Sequence, residues 1–149
     1  MYSVEKPPSP HDINIGCLTS LRHLLIDIPT WLDTDMMQYL TSLLQNCNTL
    51  SSLQSITIVI IVSEECTLHD WEDIAKWRAL DNAFSDLNSA SLIEVNVQVH
   101  SNEGRFEDIT GLDLVEAGLP GLWSRGILKI EKIKGMYCVI RYNDVLISA

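Results

Sequence analysis

Apolar residues recur along this chain with a spacing that is itself repeated. Leu18, Leu21, Leu24, Ile26 and Ile28 follow the pattern L-x-x-L-x-x-L-x-I-x-I, and Leu50, Leu53, Ile56, Ile58 and Ile60 match it position for position. A third copy keeps Leu92, Val95, Val97 and Val99 with Ser89 in the first slot. A fourth retains Leu122, Leu128 and Ile130, with Arg125 in the second slot. The back half of each copy alternates apolar with other residues and is rich in Ile and Val, the pattern of strands with one buried face. Strands are expected near 22–28, 54–62, 92–100 and 127–133. They should lie parallel in chain order, because each copy can bury its stripe only against its neighbours.

Between the strands the period lengthens to that of a helix. Leu32, Met36, Leu40, Leu43, Leu44 and Cys47 make one stripe, and Trp71, Ile74, Trp77, Leu80, Phe84 and Leu87 a second. A shorter third, Ile109, Leu112, Val115 and Leu119, is ended by Gly118, Pro120 and Gly121. Tryptophans at such spacing are core residues rather than cofactor contacts. Thr30-x-x-Asp33, Asp70-x-x-Asp73 and Thr110-x-x-Asp113 resemble capping boxes. That gives Asp33, Asp70, Asp73 and Asp113 a structural task at helix starts instead of paired acid–base work. The apolar run 136–142, after Lys134-Gly135, is expected to return on the fourth strand as an antiparallel hairpin cap. The fold class is therefore α/β: a short, irregular solenoid with a sequential parallel sheet, helices on one side and a C-terminal cap. Residues 1–15 are expected to form a flexible tail and 16–149 a single domain.

With 149 residues, 46% of them hydrophobic and 20% charged, one domain can bury about two-thirds of the surface its unfolded chain exposes. The longest aliphatic stretch, within 56–62, falls far short of the ~20 residues that span a bilayer. Residues 1–12 carry no apolar signal core, so the expected location is intracellular, cytoplasmic or nuclear, without a membrane. Twenty acids against ten bases give a net charge of −10, which argues against nucleic acid as a partner. The charge is uneven. Between Arg22 and Lys76 stand eight acids and no Lys or Arg, whereas residues 125–141 hold five bases against Glu131 alone. Cys17, Cys47, Cys66 and Cys138 are far apart and His11, His23, His69 and His100 equally dispersed, so no metal site is expected. The cysteines read as inert or core thiols of a reducing compartment.

Alternating strands and helices also suit a doubly wound nucleotide-binding fold, but that fold needs a Gly-rich turn from strand to helix. Here Val62 is followed by Ser63-Glu64-Glu65-Cys66-Thr67, Val99 only by the isolated Gly104, and Ile28 by Pro29-Thr30. There is no G-x-S-x-G elbow and no H-E-x-x-H, and His69-Asp70 beside Cys66 lacks a third member. No enzyme activity, catalytic residue or cofactor is expected, with a nucleotide-binding or enzyme domain kept as the lesser alternative.

Residues 18–28 and 50–60, the series Trp77, Leu80, Asp81, Phe84, and the run 119–128 (LPGLWSRGIL) together suggest a family. Over residues 18–133 the chain resembles the C-terminal, leucine-rich-repeat-like region of fungal F-box proteins. The resemblance implies the substrate-recognition part of a ubiquitin-ligase receptor. Residues 1–17 are too short for the helical F-box that docks the ligase adaptor, so adaptor binding is expected only if a missing F-box exists. A general scaffold without a ubiquitin link uses the same surface in the alternative reading.

Side chains alternate along a strand, so residues between the buried positions point away from the helices. His23, Leu25 and Asp27 then lie beside Ser55, Thr57 and Val59, followed by Glu94, Asn96, Gln98 and His100, and by Lys129 and Glu131. A solenoid leaves this face open and concave for protein ligands. The candidate contacts for an unknown protein partner are His23, Leu25, Asp27, Thr57, Val59, Asn96, Gln98, His100 and Lys129. The acidic segment 64–73 is the next candidate.

Overall fold

The repeated Ile/Val alternation forms four strands: β1 (His23–Pro29), β2 (Ser55–Val62), β3 (Glu94–Ser101) and β4 (Leu128–Lys134). Helices α1 (Met36–Asn46), α2 (Ile74–Asp86), α3 (Leu112–Gly118) and α4 (Pro120–Ser124) occupy the intervals, and a short β5 (Val145–Ser148) follows. The computed structural model describes residues 18–29, 36–46, 50–62, 73–87, 90–101, 112–134 and 145–148.

β1 to β4 pair in parallel and in chain order, without the reversal that a doubly wound sheet carries. Equivalent slots of the four copies fall into register. Leu24, Ile56, Val95 and Leu128 make one row, and Ile26, Ile58, Val97 and Ile130 the next. These rows face the helices. Ile56, Ile58 and Ile60 join one core cluster with Leu40, Leu43 and Leu44 of α1, Trp77, Leu80 and Phe84 of α2, and Val115, Leu119 and Leu122. The described helices therefore cover a single face. Leu128 and Ile130 are only half-buried, so the core thins toward β4.

The first three copies are also stitched by matching hydrogen bonds ahead of β2 and β3. The Ser52 hydroxyl donates to the carbonyls of Thr19 and Leu21, and Ser91, two residues after the first slot like Ser52, donates to the carbonyl of Ser51. The N–H groups of Gln54 and Ser55 share the Arg22 carbonyl, and those of Ile93 and Glu94 share that of Gln54.

Three positions depart from expectation. Asp73 is itself the N-cap of α2, its carboxylate accepting from the Ala75 N–H at 3.0 Å; both Asp70 and Asp73 are chemically able to cap, and helical phase selects the later one. Met37 is buried in the α1 stripe. The antiparallel C-terminal strand is β5, and it pairs with β1, giving the order β4-β3-β2-β1-β5. The ten residues between β4 and β5 can span roughly 33 Å, more than the ~19 Å separating the outer strands of a five-stranded sheet. The expected hairpin run 136–142, the tail 1–15, and Thr30, Asp33, Asp70 and Thr110 lie outside the described residues, as does the side chain of Asp113.

The approach to β4 depends on α2. Asp81, buried on α2, accepts from the N–H groups of Gly121 (2.8 Å) and Leu122 (3.0 Å) and so caps α4 from across the interface. A Cβ on Gly118 would overlap Cβ of Trp77, which fixes how closely α3 lies on α2. Gly126, at φ +68, ends α4 in a left-handed turn: its N–H donates to the Trp123 carbonyl and that of Ile127 to the Leu122 carbonyl.

Candidate functional site

The face of the sheet away from the helices is ordered in rows by the same register. Leu25, Thr57, Asn96 and Lys129 form one row, and Asp27, Val59, Gln98 and Glu131 the next. His23 and Ser55 flank the first, joined by a 2.7 Å hydrogen bond between Nδ1 and Oγ. His100 lies at the other end of β3, opposite Ile133.

The rows are not equally accessible. His23 and Lys129 are exposed, and Leu25, Asp27, Thr57 and Gln98 are half-buried. Val59, Asn96 and His100 are buried, at 1%, 6% and 5% exposure. Parity along the strand placed these three on the proper face. Accessibility there depends on what lies across the face, which strand alternation does not encode.

Glu131 gathers the polar half of the site. Its Oε1 pairs with the Lys129 ammonium at 2.6 Å, and its Oε2 accepts from the amides of Asn96 (2.8 Å) and Gln98 (3.0 Å). Gln98 continues the chain through Oε1 to His100 Nε2 at 3.5 Å. The Lys129 ammonium, and then the two amides, hold the Glu131 carboxyl down at about 2. In return, Glu131 raises the Lys129 ammonium. Burial pushes the His100 imidazole below its ordinary value, against a weaker upward pull from Glu131. Asn96 is only half satisfied, because its Oδ1 is buried without a hydrogen bond. Asn96, Gln98, His100 and Lys129 thus come together as one network, while His23, Leu25 and Thr57 sit toward β1 and β2.

Glu131 is the residue that the candidate contacts omitted. The signal was present: an acid two residues after Lys129 on one strand, with two amides at the matching positions of its neighbour. Among the described residues no group of His, Cys, Asp and Glu could hold a metal ion. No helix there is long and apolar enough to cross a membrane. The acidic segment 64–73 falls outside the described residues apart from Asp73, which caps α2. The chain matches no family model, no curated protein and no solved structure.

Proposed function

We propose that this chain is a non-enzymatic protein-interaction module, a short leucine-rich-repeat-like solenoid similar to the substrate-recognition part of an F-box ubiquitin-ligase receptor. One observation carries the reading: a sequential parallel sheet packs the described helices on one side and leaves His23, Leu25, Thr57, Gln98 and Lys129 at least partly accessible on the other. The matching serine and backbone bonds between copies support a repeat architecture. His23, Leu25, Thr57, Gln98 and Lys129 offer the accessible contacts, with the Glu131 network as their rigid backing.

The test is affinity capture with mass spectrometry, using the parent and a Leu25→Arg, Thr57→Arg variant whose circular dichroism matches the parent. Recovery of a ligase adaptor or ubiquitinated clients by the parent, and their loss from the variant, supports the receptor. Partners without either signature, lost from the variant, support a scaffold on the same face. Unchanged capture by the folded variant overturns this face as the binding surface.

A further inference from the structure

The helical side carries a second surface, independent of the sheet face. α3 and α4 form a nearly continuous helical run, because the Leu119 N–H donates to the Glu116 carbonyl and the Trp123 N–H to that of Leu119. Val115, Leu119 and Leu122 point into the core. The neighbouring stripe, Glu116, Pro120 and Trp123, shares the same i, i+4, i+7 spacing and with Ala117 lines a shallow outward groove of about 360 Å³. Trp123 is 58% exposed although it is among the largest apolar side chains in the molecule. Among the described residues nothing stacks on its ring and nothing pairs with the Glu116 carboxylate. Arg125 lies just past the last residue of α4, and no ion pair joins it to Glu116.

An indole face beside a carboxylate that has no partner among the described residues is complementary to a cation. A planar guanidinium suits it better than an ammonium, because it can lie flat on the ring and still offer two N–H groups to the carboxylate. We infer that the groove between Glu116 and Trp123 is a docking site for an arginine side chain of a basic segment in a partner protein.

The experiment uses the full chain and three short synthetic peptides, glycine-flanked, carrying one arginine, one citrulline or one lysine. Titration is followed by the Trp123 indole resonance, assigned with Trp123→Phe, and by calorimetry. The arginine peptide should shift that resonance and bind at least tenfold more tightly than its citrulline twin. Glu116→Gln should weaken binding several-fold and flatten its salt dependence. Trp123→Ala, which leaves net charge unchanged, should abolish binding while circular dichroism stays that of the parent. Equal binding by the citrulline peptide, tighter binding by the lysine peptide, or full binding by a folded Trp123→Ala protein overturns the assignment. None of these results bears on the sheet face, which is tested separately.

Discussion

Glu131 links four other side chains across two strands, and its acid–base behaviour reports on that network. A carboxyl held at about 2, against an ordinary 4.5, adds stability at pH values above its unfolded pKa and loses it as pH falls through the folded one. Glu131→Gln should therefore lower the urea midpoint at pH 7, with the gap closing between pH 4.5 and 2. A constant gap over that range would detach Glu131 from the network. His100 acts in a higher window. Burial disfavours its charged form, so its contribution is present above an unfolded pKa of about 6.5 and declines as pH drops below it. In His100→Gln, the slope of stability against pH should flatten near pH 6, while the acid step from Glu131 remains. At Asp81 the electrostatics serve the fold. Asp81→Ala leaves two helix N–H groups buried without acceptors and should cost about 1–3 kcal/mol in denaturant unfolding.

At the level of elements, the tightest constraint is the approach of α3 to α2. In Gly118→Ala the new methyl meets a Cβ rooted in the α2 backbone, so no rotamer change relieves it. The helices must separate, and thermal unfolding should show a loss of about 1–3 kcal/mol. Phe84→Ala empties the centre of the second stripe and should cost about 3–5 kcal/mol. The strands were legible in the sequence because a period of two fixes which side chains enter the core once a single one is known. Helical stripes were legible to within the phase of the helix start, which is where Met36 and Met37, and Asp70 and Asp73, are chemically interchangeable. The pairing of β5 with β1 was not legible, because no local pattern names a partner at the far end of the chain. Glu131 was legible as a member of the outward rows but not as their hub, because its diagonal bond to Asn96 depends on side-chain reach, which strand alternation does not give.

Across the whole molecule, protection should follow position in the sheet. β2 and β3 have strand neighbours on both sides and core-facing rows at 0–1% exposure, whereas β4 and β5 are the outer members of the described sheet. Amide exchange should be slowest in β2 and β3 and faster in β4, where the packing thins. Equal rates in β2 and β4 would contradict this gradient. The β1–β5 pair has a different consequence, one of timing. Each parallel neighbour is available soon after it is translated, but Val145 meets Ile26 only after roughly 120 further residues, some 6–24 s of synthesis at 5–20 residues per second. Throughout that interval the growing chain displays one flank of β1 as an open template for backbone pairing. The β5 strand thus serves as a clasp, and a chain cut short before Val145 leaves that flank of β1 adhesive.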